Sequence, residues 1–185
     1  MPSVVVKANP VIPMASKAFS LSCDVDGPYN SIQWLMDSRP LVSSSTVTIS
    51  NDSTVVSFNP LKTDNDGLYQ CVVKNILKEH VRAYKLLASY GPSHVNISAT
   101  AENPITLTCL AASQPPSTYV WKIDGKPVGN SSEIKLSILV ALGSSTITCI
   151  ATNPRTNATA GATFKLPGKH LSSALKIRHL GAGLF

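Results

Sequence analysis

The chain predicts an all-β fold of two tandem antiparallel β-sandwiches, and three observations carry that prediction. Apolar and polar residues alternate with period 2 over many short runs, as in Phe19-Ser20-Leu21-Ser22-Cys23-Asp24-Val25, which is the pattern of half-buried strands. Turn-forming clusters punctuate these runs, among them Asp26-Gly27-Pro28, Asn51-Asp52-Ser53 and Asp124-Gly125-Lys126-Pro127. A spaced Cys, Trp, Cys pattern occurs twice, as Cys23, Trp34, Cys71 and as Cys109, Trp121, Cys149. The 185 residues therefore read as two copies of one unit of roughly 90 residues, within the usual size of a domain.

In the first copy, Val4 to Lys7 reads as strand A. Pro10 and Pro13 donate no backbone hydrogen bond, which confines that strand to a sheet edge. Ala18 to Val25 is strand B, with Phe19, Leu21, Cys23 and Val25 on its inner face. Strand C follows with Ile32, Trp34 and Met36 inward, then a short C′ at Arg39-Pro40-Leu41. Val47 to Ile49 is a further strand, and Val56 and Phe58 face inward on strand E, with Leu61 plugging the end. Strand F is Leu68 to Lys74, the F–G turn is Asn75 to Glu79, and strand G runs from Arg82 to Ser89, where Gly91 and Pro92 break it.

The second copy starts with Val95 and Ile97 on strand A and Ile105 to Cys109 on strand B. Tyr119, Trp121 and Ile123 share one face of strand C. Ile134, Leu136 and Ile138 alternate as strand E, Ile147 to Ala151 is strand F, and Ala160 to Leu166 is strand G. Only 40 residues separate Cys109 from Cys149, against 48 between Cys23 and Cys71. That interval predicts a minimal sandwich without strand D.

In the first copy Trp34 follows Cys23 by eleven residues and Tyr69 stands two residues before Cys71. Cys, Trp and Tyr-x-Cys at these intervals resemble the immunoglobulin fold. The resemblance implies bridges Cys23–Cys71 and Cys109–Cys149 across the two cores, Trp34 packed on the first bridge, and a corner at which the Tyr69 hydroxyl returns to the backbone. It also implies C2/I-type domains, because variable-type domains carry two more strands and need a longer interval. The implied boundaries are 1–91 for the first domain, 92–167 for a degenerate second one and 168–185 for a basic tail outside any core. Two positions depart from the pattern. Asn65 stands where such domains usually have Asp, and Ile147 occupies the corner position that Tyr69 holds in the first copy. Ser20-Leu21-Ser22-Cys23, the Trp34 segment, Tyr69-Gln70-Cys71 with Asn75, and Tyr90-Gly91-Pro92 are similar to the constant-type domains of the carcinoembryonic-antigen-related cell adhesion molecules, and Cys149-Ile150-Ala151-Thr152-Asn153-Pro154 resembles both that family and the lymphocyte-signalling adhesion family. That likeness implies a surface glycoprotein that binds other cell-surface proteins, homophilically or heterophilically. The main adhesive face in that family belongs to a variable-type domain, which neither copy resembles.

Composition narrows the function classes. Four cysteines inside apolar strands, none in close pairs, argue against a zinc site and for two bridges formed in an oxidising compartment. With no secretory leader or membrane span in the chain, the expectation is a part of a longer extracellular or cell-surface protein whose signal peptide and membrane anchor lie in segments absent from this sequence. Net charge is +6, yet Lys165, Lys169, Lys176 and Arg178 in the last 21 residues supply four of those charges, so the body is near neutral and indicates no nucleic-acid groove. The tail reads either as a solvated terminus or, from Leu171, Leu175 and Leu180, as a weak membrane-surface helix. His80, His94, His170 and His179 have no metal-ligand partners at close spacing, and no nucleophile elbow, phosphate loop or His-Glu-x-x-His motif occurs. The reading is a non-enzyme with no cofactor, metal or small-molecule substrate. Sequons at Asn51, Asn96, Asn130 and Asn157 fall at turns or on solvent faces and mark either glycosylation or ordinary turn chemistry. Two roles compete. One is a recognition module that uses the C–F–G face of the first domain, with Gln33, Leu35, Gln70, Lys74, Ile76, Leu77, Lys78 and Tyr84 as contacts. The other is a spacer for a distal adhesive domain, or a secreted decoy with no binding of its own. Ile76-Leu77 at a loop tip marks a contact, unless Leu77 folds under the turn onto strand G.

Overall fold

The computed structural model describes residues 3–100, 104–137 and 145–166. The chain divides after Tyr90 into two compact units, each an antiparallel β-sandwich. The tail 168–185 and Ile138, expected on strand E, lie outside the described residues.

The first unit contains β1 (Ser3–Asn9), β2 (Phe19–Asp26), β3 (Ser31–Met36), β4 (Arg39–Pro40), β5 (Val47–Ile49), β6 (Val55–Phe58), β7 (Gly67–Lys74) and β8 (Glu79–Leu86), corresponding to strands A, B, C, C′, D, E, F and G. One sheet has the order β1-β2-β6-β5 and the other β4-β3-β7-β8. Strand β1 is an edge strand and ends at Asn9, directly before Pro10, as a residue without an N–H requires. The period-2 pattern of β2 is realised in full: Phe19, Leu21 and Cys23 are buried, while Ser20 and Ser22 are half-exposed. Facing them are Trp34, Tyr69, Cys71, Val73 and Leu86, all buried. Phe19, Phe58 and Tyr69 form an aromatic cluster with centroid separations of 5.8 and 5.5 Å, the Phe58–Tyr69 pair edge to face. Each such ring or aliphatic side chain stabilises the sandwich by about 1.5–3 kcal/mol on burial, and aromatic pairs add about 0.5–1.5 kcal/mol.

The second unit contains β9 (Tyr90–Ala99), β10 (Ile105–Gln114), β11 (Thr118–Ile123), β12 (Lys126–Gly129), β13 (Glu133–Leu136), β14 (Thr146–Thr152) and β15 (Thr159–Lys165). Its sheets are β13-β10-β9 and β12-β11-β14-β15. Only residues 130–132 connect β12 to β13, so strand D is missing and strand E follows C′ directly, as the short cysteine interval requires. Leu107, Cys109, Trp121, Ile147 and Cys149 are buried without measurable exposure.

The structure corrects one element. Strand G of the first unit starts at Glu79, paired with Lys74, and ends at Leu86, three residues earlier at each end than expected. Gly91 and Pro92 do not break strand G, which has already ended at Leu86; both lie inside β9, directly after the division at Tyr90. Gly91 has φ of +71°, and a Cβ there would stand 2.1 Å from the carbonyl oxygen of Ala112. The glycine is required for close approach of β9 to β10, a need that chain punctuation alone does not reveal.

Candidate functional site

The candidate surface rests on a rigid frame. Cys23 and Cys71 form the expected bridge with Cα atoms 6.2 Å apart, and Cys109 and Cys149 do so at 6.4 Å. The Trp34 indole N–H donates to the Ser53 carbonyl at 2.8 Å, fixing strand C to the D–E turn. The Tyr69 hydroxyl donates to the Asn65 carbonyl at 2.8 Å, closing the corner before strand F. Burial pushes the Tyr69 phenol far above its usual value, and the negative charges of Asp37 and Asp66 push it further. It therefore acts as a neutral donor at every physiological pH. Asn65, in the place usually held by Asp, accepts the Lys62 N–H at 2.9 Å, so its side chain closes its own 3₁₀ turn. Asp37 accepts the Leu68 N–H at 2.9 Å and pins the C–C′ turn to the start of strand F.

On this frame the outer face of the β3–β7–β8 sheet is laid out by register. Gln33, Val72 and Val81 form one row; Leu35, Gln70 and Ala83 form the next; Ser31, Lys74 and Glu79 form the end row. Gln33 is exposed, Leu35 and Gln70 are half-buried, and Lys74 is exposed and ion-paired with Glu79 at 3.3 Å. Five of the eight expected contacts thus meet on or beside one surface: Gln33, Leu35, Gln70, Lys74 and Lys78. Tyr84 does not join them. It is the strand partner of inward-facing Tyr69, and its ring lies 6.4 Å from Phe19 on the core side. The expectation placed strand G in the wrong phase. Val72 and Val81 were missed in turn; their signal is apolar residues at positions where the outward phase calls for polar ones. The buried amide oxygen of Gln70 accepts no hydrogen bond.

Ile76 and Leu77 crown the same sheet. They are 90% and 87% exposed, so Leu77 does not fold under the turn. The Asn75 side-chain oxygen accepts the Leu77 and Lys78 N–H groups at 2.9 and 2.8 Å, and the Asn75 N–H donates to the Lys78 carbonyl. This Asx-type turn holds the two aliphatic side chains out in solvent. Tyr29, also missed in the sequence, is 42% exposed in the B–C loop, and its neighbour Asn30 donates to the Lys74 carbonyl at 2.7 Å. The loop is thereby tied to the end of strand F, beside the tip.

All four sequon asparagines are exposed. Asn51 lies in the turn between β5 and β6, on the sheet opposite the candidate face. Asn96 is on β9, Asn130 precedes β13, and Asn157 is in the turn before β15.

Comparison with known proteins places this geometry. An immunoglobulin-domain family model matches residues 1–75, and a second immunoglobulin-domain model matches residues 89–172. Human hemicentin-1 is 29% identical over 152 residues, covering 73% of this chain and 3% of hemicentin-1. The mouse cell adhesion molecule CEACAM16 is 26% identical over 150 residues, covering 74% of this chain and 35% of that protein. The chain thus spans a minor part of the length of these relatives. Among solved structures, Rst D1-D2 superposes with a TM-score of 0.70 at 15% identity, covering 89% of this chain and 97% of the other. The amphioxus IgVJ-C2 molecule does so with a TM-score of 0.61 at 18% identity, covering 83% and 97%. Two family models, one per sandwich, together with the bridges and the Trp34 and Tyr69 contacts, give one conclusion: the chain belongs to the immunoglobulin superfamily, as two tandem immunoglobulin domains.

Proposed function

We propose that the first domain recognises another cell-surface protein, outside the cell, through the outer face of β3, β7 and β8 and the F–G tip above it. The observation that carries this reading is the tip itself. Two adjacent aliphatic side chains stand almost fully exposed on a turn that hydrogen bonds hold rigid. An isolated exposed apolar residue needs no explanation, but a rigid pair beside an apolar sheet face does. Rigid presentation also reduces the ordering cost of binding.

The face beneath supplies the rest of a contact. Leu35 and Val81 give it apolar surface over the buried Val72, and the Lys74–Glu79 pair with Lys78 forms a charged rim, the arrangement of core and rim found in protein interfaces. The first domain's sequon, Asn51, lies on the opposite sheet, so a glycan there would leave this face open. Mixed rim charges tune association rate more than affinity. Micromolar binding, about −8 kcal/mol, is the expected scale.

The test is the double substitution Ile76→Asp with Leu77→Asp in the chain displayed on cells. Cell–cell aggregation, or capture of the partner, should fall about tenfold or more, since buried apolar anchors dominate such contacts. Unchanged binding with an intact thermal transition would remove this face from the mechanism. Absence of binding by the unmodified chain would favour a spacer role.

A further inference from the structure

Strand β15 is the outermost strand of the sheet β12-β11-β14-β15. Its register with β14 runs unbroken from Thr146–Lys165 to Thr152–Thr159, with no bulge. Among the described residues no strand pairs with the outer edge of residues 159–163. Edge strands are ordinarily guarded against self-pairing by charges, prolines or bulges. The corresponding strand of the first domain, β8, is guarded in this way by exposed Glu79, Arg82 and Lys85. Residues 159–163 carry none of these devices.

The segment reads Thr159-Ala160-Gly161-Ala162-Thr163, the same in both directions. Thr159, Gly161 and Thr163 are exposed, while Ala160 and Ala162 face inward opposite Ala151 and Cys149. A two-fold antiparallel pairing centred on Gly161 sets Thr159 opposite Thr163 of a second copy, Ala160 opposite Ala162, and Gly161 opposite Gly161. Thr–Thr cross-strand pairs are favourable. The three small residues between them leave no side-chain bulk to resist the spacing of about 4.8 Å that a continuous sheet needs. The nearest charge, Lys165, falls opposite the uncharged Asn157, so no like charges meet.

We infer that a second copy of this chain docks on this edge, and that two second domains join their four-stranded sheets through antiparallel pairing of β15. The occupant follows from the palindrome: a different strand would have no reason to match Thr for Thr and Ala for Ala in reverse order. The inference does not depend on the recognition face of the first domain, and it gives the second domain an activity of its own.

Sedimentation velocity on the non-glycosylated chain provides the test, with two variants that both lose the Asn157 sequon and so differ in charge alone. Thr159→Lys with Thr163→Lys places like charges in both Thr–Thr pairs and should weaken the dimer about tenfold. Thr159→Lys with Thr163→Glu places opposite charges in both pairs and should restore it. In the unmodified chain, the amides of residues 159–163 should gain exchange protection as concentration rises. A chain that stays monomeric up to its solubility limit overturns the inference. So do variants that dimerise equally well, and so does protection that does not change with concentration.

Discussion

The two domains share one hydrogen-bonded frame and differ in almost everything hung on it. Trp34 and Trp121 each donate their indole N–H to a serine carbonyl at 2.8 Å, Ser53 in one domain and Ser131 in the other. The N–H groups of Cys23 and Cys109 donate to Thr54 and Ser132, both at 2.8 Å. Asp37 and Asp124, both at positive φ, accept an N–H at the start of strand F, from Leu68 and Thr146. Asn75 and Asn153, each four residues past the second cysteine, hold the F–G turn through their side-chain oxygens. Beyond this frame the first domain has strand D, the tyrosine corner and the Phe19–Phe58–Tyr69 cluster. The second has none of these among its described residues. Its Ile147 fills the corner position as a buried hydrocarbon, and Asn153 takes on a wider role. The Asn153 amide donates to the Gln114 carbonyl at 3.0 Å and to the Ser113 hydroxyl at 3.2 Å, tying the F–G turn to the end of strand B. A bridge, a tryptophan, an aspartate and an asparagine are thus the parts common to both sandwiches, each around its own apolar core. Aromatic packing and the corner add stability to the first.

The largest test of that difference is removal of each bridge. Loop entropy cannot separate them, because closing 48 residues rather than 40 changes the stabilisation by only about 0.2 kcal/mol. Either loss should cost about 2–5 kcal/mol. Without Cys109–Cys149, the second domain, whose described residues hold no cluster like Phe19–Phe58–Tyr69, should lose its calorimetric transition. Without Cys23–Cys71, the first domain's transition should persist at lower temperature. Equal losses would show that the aromatic cluster contributes little.

Next in size is the asparagine pair. Asn153 is fully buried, and Asn153→Ala would remove its bond to the Gln114 carbonyl and the acceptor of two turn N–H groups, costing about 2–3 kcal/mol in the second domain. Asn75→Ala removes a partly solvated turn contact and should cost about 1 kcal/mol in the first. Urea unfolding of the two variants, followed through Trp34 and Trp121, measures both. Equal costs would mean that the Asn153 reach to strand B is incidental.

Much of this was legible in the residues. Period-2 alternation marked β2, β3, β6, β7, β10 and β14, because one face of each is buried and the other solvated. The cysteine intervals carried the pairing and the missing strand D, and Tyr69-Gln70-Cys71 carried the corner. Phase was lost in strand G, where Val81-Arg82-Ala83-Tyr84 alternates weakly and Tyr84 suits either face; the core chose it through Phe19. Gly91 could not be read because its constraint is a carbonyl 21 positions away, on Ala112. The tip was visible only as a choice between exposure and tucking, which the Asn75 turn decides. Asn153 was open to reading, since both copies carry Asn at the same distance from the second cysteine, but only its burial shows how many partners it holds.

The smallest expected effect is acid sensitivity at the D–E hairpin, which among the described residues belongs to the first domain alone. The Asp52 carboxylate accepts from the Ser50 hydroxyl at 2.5 Å and from the Thr54 N–H and hydroxyl at 3.1 and 2.8 Å. These bonds, that from Ser50 foremost, hold its carboxyl below the usual range. Asp24 is lowered likewise, chiefly by Lys7 at 2.5 Å. Because both groups bind their proton less readily in the folded chain than in the unfolded one, protonation favours unfolding. Their contribution is complete above about pH 5. It begins to fall as pH drops through the unfolded-state value of about 3.9, and it is gone below the folded-state values. Both side chains are open to solvent, so the shift in the first domain's melting temperature should be small and should shrink further with added salt at the Lys7–Asp24 pair. Replacing Asp52 with Asn keeps an acceptor but removes the titration. Melting of the Asp52→Asn chain between pH 5 and pH 3 should therefore show a shallower decline in the first transition, with the second transition unchanged. A decline as steep as that of the unmodified chain would mean that the hairpin does not depend on the carboxylate charge, and the two domains would then respond to acid through their shared frame alone.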